Sequence, residues 1–163
     1  MPSALRVRLL GAFSVVLDAE PVQGLDSARL QSLFAYLILH RDTPHLRQRL
    51  AFLFWPDSSE AQARNNLRQT LHTLRQATPS LEDILLADNR TLRWSPEASI
   101  HLDVAEFESE LTLAETARRQ NDPAVMLAAL EQAIALYTGD LLPSCYDTWI
   151  TTERERTKFP FSS

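Results

Sequence analysis

A single proline, Pro56, divides the stretch from Leu46 to Ala77 into two amphipathic runs, and that division constrains the fold more than any other feature of the chain. On its N-terminal side, Leu46, Leu50, Leu53 and Phe54 share one face of a helix from about Leu46 to Trp55, and a helix stops at or before the residue ahead of a proline. On its C-terminal side, Ala63, Leu67, Leu71 and Leu74 make a buried stripe at helical spacing. Asp57 is the expected cap of this helix, Glu60 completes a capping-box pattern, and Pro79 lies just beyond its end. Two helices joined by only Pro56-Asp57-Ser58 have the proportions of a helix-turn-helix.

The flanking segments extend this unit. Leu5, Val7 and Leu9, then Phe13, Val15 and Leu17, alternate with their neighbours as strands do, with Gly11 between the runs. Asp18-Ala19-Glu20-Pro21 reads as a turn, and Val22 begins a further short strand. Asp26 or Ser27 caps a helix whose stripe is Leu30, Leu33, Phe34, Leu37 and Ile38, ending near His40-Arg41-Asp42. Residues 84–94 read as a hairpin turning at Asp88-Asn89-Arg90, and residues 95–99 as a linker. Strands, three helices and a hairpin are the order of a winged helix.

From Asp103 the pattern is helical again. Val104, Phe107, Leu111 and Ala114 form one stripe; after a break at Asn121-Asp122-Pro123, Met126 or Leu127, Leu130, Ala133, Ile134 and Tyr137 form another. Such a helix pair resembles one unit of an α-solenoid, which needs neighbours to bury its faces. The expected fold is mainly α with a small antiparallel β component. It comprises a winged helix-turn-helix with an N-terminal sheet over residues 1–97, and an α-helical TPR-like repeat fragment over 98–163.

Composition narrows the function. Gly11, Gly24 and Gly139 are the only glycines and are too scattered for a phosphate-cradling loop. The lone Cys145 permits no intrachain disulfide and suits reducing cytosol. No apolar run approaches the roughly 20 residues of a membrane span, and the N-terminus lacks a secretory core, so a cytoplasmic protein without a membrane partner is expected. His40, His45, His72 and His101 show no zinc spacing with Cys145, and no G-x-S-x-G motif occurs. Glu106, Glu108 and Glu110 read as a solvated face, and Trp55, Trp94 and Trp149 as core. No catalytic, metal or cofactor site is expected. The net charge of -5 is uneven: residues 1–99 carry 11 arginines and no lysine against 10 acids, whereas residues 100–163 carry five cations against 11 acids. Two units with different partners follow from that division.

The helix after Pro56 carries the functional signal. With Leu67 pointing inward, Gln62, Asn65, Gln69, His72 and Gln76 point nearly opposite. Arg64, Arg68 and Arg75 line one flank, and Asn66, Thr70 and Thr73 the other, with no acid between Ala61 and Ala77. Amides pair with adenine edges, and arginine with guanine or phosphate. A solvated helix face would ordinarily mix both charges. Arg90 at the hairpin tip and Arg93 on its return strand place cations where a wing meets phosphate or a narrow minor groove, although a tip arginine also serves solubility. The expected DNA-contacting residues are therefore Arg64, Asn65, Asn66, Arg68, Gln69, His72, Thr73, Arg75, Arg90 and Arg93. Arg47 and Arg49 fit a phosphate contact and a plain exposed helix start equally well.

The run Leu53-Phe54-Trp55-Pro56-Asp57-Ser58-Ser59-Glu60-Ala61-Gln62-Ala63-Arg64-Asn65-Asn66-Leu67-Arg68, continued by Leu71, Leu74 and Arg75, resembles the DNA-binding domain of SARP-type transcription activators, a winged helix of the OmpR type. Leu5-Arg6-Val7-Arg8-Leu9-Leu10-Gly11 resembles that family's N-terminal sheet, with Ala19 where a turn glycine is usual. Asp103-Val104-Ala105-Glu106-Phe107, then Tyr137-Thr138-Gly139-Asp140-Leu141-Leu142-Pro143, then Asp147-Thr148-Trp149-Ile150 are similar to the bacterial transcriptional activator domain that follows. The resemblance implies double-stranded DNA as partner, and activation by recruiting RNA polymerase. Relatives continue through further helices. This chain is expected to form a last helix from near Tyr146 to Lys158, ended by Pro160, leaving its helical part less stable or self-associating. The alternative is a helical protein-interaction adaptor with little DNA binding.

Overall fold

The computed structural model describes residues 4–143, 145 and 147–156. In chain order the elements are β1 (Ala4–Arg8), β2 (Ser14–Leu17), β3 (Glu20–Pro21), α1 (Ala28–Leu39), β4 (His45–Leu46), α2 (Arg47–Phe54), α3 (Glu60–Ala77), a 3-10 turn (Pro79–Asp83), β5 (Leu85–Ala87), β6 (Thr91–Trp94), β7 (Ser99–Leu102), α4 (Asp103–Arg119), α5 (Pro123–Leu136) and α6 (Thr148–Arg156). They form two compact units. The first holds Ala4 and Leu17–Ser99, the second Leu5–Val16 and the described residues from Ile100 onward.

In the first unit, α1, α2 and α3 bury their stripes together. Leu30, Leu33, Phe34, Leu37 and Ile38 of α1 are all in the core, as are Ala63, Leu67, Leu71 and Leu74 of α3. Ser27 caps α1, accepting from the Leu30 amide. Two details of the helix-turn-helix differ from the sequence expectation. Ser59, not Asp57, caps α3, its hydroxyl accepting from the Gln62 amide at 3.1 Å, so Glu60 opens the helix. The buried face of α2 is Leu50, Ala51 and Phe54, while Leu46 and Leu53 are exposed. The reason is phase: with Leu50, Ala51 and Phe54 facing inward, Leu53 falls roughly 100° from the centre of that face, and β4 takes Leu46 out of the helix. β4, β6 and β5 form an antiparallel sheet in that order, with His45 opposite Leu92 and Leu85 opposite Trp94. Trp94 fixes this wing to α1, its indole N–H donating to the Leu37 carbonyl at 3.0 Å and its ring meeting Phe34 edge-on at 5.9 Å.

In the second unit β2, β1 and β7 lie side by side in that order. The sequence placed residues 5–16 with the winged helix and 95–99 in a linker; the structure groups Leu5–Val16 with the helical part, and β7 begins at Ser99. Hydrogen bonds explain the grouping. The Asp103 carboxylate, in the first turn of α4, accepts from the Leu9 and Leu10 amides at 2.9 Å. Leu10 pairs with Leu141, the Gly11 amide donates to the Asp140 carbonyl, and the Leu142 amide donates to the Leu9 carbonyl. The Thr138 hydroxyl donates to the Leu10 carbonyl at 2.8 Å. Gly11, at φ +83°, lies so close that a Cβ would come within 2.6 Å of the Thr138 hydroxyl.

α4 and α5 pack as a pair. Val104, Phe107, Ala114 and Ala117 of α4 are buried. On α5 the buried residues are Ala129 and Ala133, and Leu127 and Ile134 are 57% and 60% exposed, so the expected inward position of Ile134 is corrected. Small side chains at i and i+4 let the helices approach closely, and that rotates the larger ones away. Asp122 caps α5 and α6 begins at Thr148; Tyr146, Lys158 and Pro160 lie outside the described residues. Arg154 of α6 donates to the carbonyls of Leu141, Leu142 and Cys145.

Burial pushes the Asp103 carboxyl above the usual carboxylate range, against the pull of the Leu10, Leu9 and Val104 amides. With the folded value raised, the carboxyl's contribution is fully present below the ordinary carboxylate value and falls as pH rises through the raised one. Asp103→Ala strands buried amides and should destabilise the chain by about 2–4 kcal/mol, measured by urea unfolding, and should remove that pH slope; wild-type stability in the variant contradicts the assignment. The turn before β3 gives an opposite prediction. Asp18 and Ala19 both have positive φ, 49° and 69°, so Ala19→Gly should stabilise by about 0.5–1 kcal/mol. An unchanged or lower melting temperature contradicts it.

Candidate nucleic-acid interface

The exposed side of α3 is built as its 3.6-residue period requires. Arg64, Arg68, Gln69, His72 and Thr73 are exposed, and Asn65, Asn66 and Arg75 are half-buried. Some polar groups are already used within the helix. Asn66 accepts from the Gln62 side chain at 2.8 Å, and the Thr73 hydroxyl donates to the Gln69 carbonyl at 3.1 Å. Asn65, Gln69 and His72 form the outward row.

Next to that row is a groove of about 540 Å³, whose lining includes Arg47, Arg64, Arg68 and Arg90. It brings together three of the expected residues, Arg64, Arg68 and Arg90, from α3 and the hairpin tip. It does not include Asn65, Asn66, Gln69, His72, Thr73, Arg75 or Arg93; Arg93 lies on β6 opposite Leu86. Arg47, Gln48 and Asn89 are additional groove residues. Arg47 was ambiguous in the sequence because its position depends on β4, a strand of two residues with no periodic signal.

Arg47 connects the elements. Its amide donates to the Arg90 carbonyl at 2.8 Å, and its guanidinium donates to the Asp88 carbonyl at 3.3 Å. Burial, then the charges of Arg75 and Arg68, lower the Arg47 pKa from its usual value, though arginine stays cationic at neutral pH. Two carboxylates also line the groove, and both are engaged locally. Glu60 accepts from Gln48 at 3.3 Å. Asp88 accepts from the Arg90 and Thr91 amides at 2.7 Å, closing the hairpin turn. Among the described residues none of Arg47, Arg64, Arg68 or Arg90 forms an ion pair. The surface is suited to an extended anion. Among the described residues no group of three or more His, Cys, Asp or Glu side chains could hold a metal ion, and no helix is long and apolar enough to cross a membrane.

Comparison with known proteins bears on the whole arrangement. Residues 102–159 match the family model of the bacterial transcriptional activator domain. The match covers 58 of the chain's 163 residues. With the fold, the match bears out the SARP-type resemblance read from the sequence. A solved structure of Mycobacterium tuberculosis EmbR in complex with a low-affinity phosphopeptide aligns with 95% of this chain at a TM-score of 0.74 and 19% identity. At that identity the likeness is one of fold. The chain spans 44% of the length of that EmbR chain. No curated protein sequence matches this chain. The activator domain occupies most of the second unit, and the arginine groove lies in the first.

The amides of Arg90 and then Thr91 hold the Asp88 carboxyl below its usual range. A depressed folded value means that this contribution is present above the ordinary carboxylate value and is lost as pH falls through the folded one. Amide exchange at Arg90 and Thr91 should therefore speed up, beyond its intrinsic pH dependence, as pH falls through that range. Asp88→Ala should produce the same speeding at neutral pH; equal exchange in both proteins contradicts the role given to the turn.

Proposed function

We propose that the chain is a sequence-specific, duplex-DNA-binding transcription regulator, an activator, with residues 1–97 as its DNA-binding domain and 98–163 as its activator part. In this reading α3 enters the major groove, and the β5–β6 hairpin contacts backbone or minor groove. The observation that carries it is the acid-free outer row of α3, Asn65, Gln69 and His72, beside a groove lined by four arginines and two carboxylates. Amides supply base-edge donors and acceptors, and guanidiniums supply affinity for phosphate. RNA polymerase is the partner proposed for the activator part, and self-association through its helices is proposed from the exposed Leu113, Leu127 and Ile134. Those same side chains favour the alternative, a protein-interaction adaptor.

Enrichment of duplexes from a randomised library, followed by titration of the selected and a scrambled duplex, tests the reading. The selected duplex should bind more tightly, with affinity falling as salt rises. Asn65→Ala or Gln69→Ala should reduce the ratio between the two affinities by about 5- to 100-fold, the range for one bidentate base contact. Absence of DNA binding favours the adaptor.

A further inference from the structure

β7 is the end strand of its sheet. Its inner edge pairs with β1, and among the described residues no strand pairs with its outer edge. A groove of about 350 Å³ in the second unit meets Ile100, His101 and Leu102 of β7 in succession. Successive side chains of a strand point to opposite faces, so a groove that meets three in a row runs along the strand's edge, where its backbone N–H and C=O groups stand. The opposite wall is helical. It is made by Glu106 and Glu110, one turn apart on α4, and by Leu136 at the end of α5. An open strand edge beside a side-chain groove is where an extended peptide adds as a further strand, main-chain bonds giving affinity and side-chain contacts giving choice.

Charge selects the occupant. Among the described residues neither Glu106 nor Glu110 forms an ion pair. Glu106 also lines a neighbouring cavity of about 200 Å³ with Arg6 and Arg8, which stand there as its counter-charges. Glu110 does not line that cavity, and His101 is the one basic side chain in its own groove. Glu110 is therefore the carboxylate placed to meet a cation from outside.

We propose that the outer edge of β7 takes up an extended segment of another protein as an added strand, with a lysine or arginine of that segment against Glu110 and an apolar side chain against Leu136. The site lies in the second unit and is independent of the DNA-binding reading.

The full chain, used to select from a library of short random peptides, tests the site. The enriched peptide should carry a lysine or arginine among apolar residues, and its binding should slow amide exchange at residues 100–102. N-methylation of alternate amides in that peptide should weaken binding by about tenfold in one register and leave the other unchanged, because a strand turns its N–H groups to alternate sides. Glu110→Gln should weaken the peptide by about three- to tenfold. Replacing the peptide's cation by norleucine should cost the same, and both changes together no more than either one. An enriched peptide without a cation, losses that add in the double change, equal loss from both methylation registers, unslowed exchange at residues 100–102, or no enrichment overturns the proposal. A dimer of this chain that the peptide dissociates assigns the edge to a second copy and overturns it as well.

Discussion

The Asp103 carboxylate organises the second unit around a connection that spans most of the chain. It accepts the Leu9 and Leu10 amides in a buried place, at the position where α4 leaves β7. Leu10 and Gly11 are thereby held against the segment from Thr138 to Leu142, whose backbone and hydroxyl complete the pairing. A carboxylate is suited to this because two oxygens can receive several N–H groups at once, and because its negative charge lies at the positive end of the α4 dipole. Burial opposes it, which is why its affinity for a proton rises. The net result is a polar latch that depends on full satisfaction of its hydrogen bonds.

The same reasoning explains the run Tyr137-Thr138-Gly139-Asp140-Leu141-Leu142. Tyr137 donates to the Asp140 carboxylate at 2.7 Å, Thr138 reaches the Leu10 carbonyl, and Gly139 faces Gly11 at a distance that leaves no space for a Cβ. Arg154 then satisfies the carbonyls of Leu141, Leu142 and Cys145. Thr138 to Leu142 receive the N-terminal strands, and Tyr137 holds Asp140 among them.

In the first unit the corresponding device is apolar. Trp94 packs on Phe34 and donates to Leu37, so the hairpin is held by α1. With the hairpin held, Arg47 can bond its tip, and arginines separated by 43 positions in the chain, Arg47 and Arg90, line one groove. The stripe of α3 was legible because Ala63, Leu67, Leu71 and Leu74 repeat over about three turns. The cap was not, since Asp57, Ser58 and Ser59 are all competent caps and the local sequence does not choose among them. Arg64 and Arg68 could be placed on one flank from helical phase alone. Their meeting with Arg47, Gln48 and Asn89 could not.

By itself the sequence determined the helix-turn-helix, the hairpin, the outward row of α3 and the kinship of the C-terminal half, because each depends on local periodicity or a contiguous motif. Tertiary structure decided the rest. It assigned Leu5–Val16 to the helical unit through Asp103, exposed Leu53 and Ile134, and assembled the arginine groove. These outcomes arise from pairings between residues far apart in sequence, such as Leu9 with Asp103 or His45 with Leu92, and no local pattern of apolar and polar residues records which distant partner a backbone amide will find.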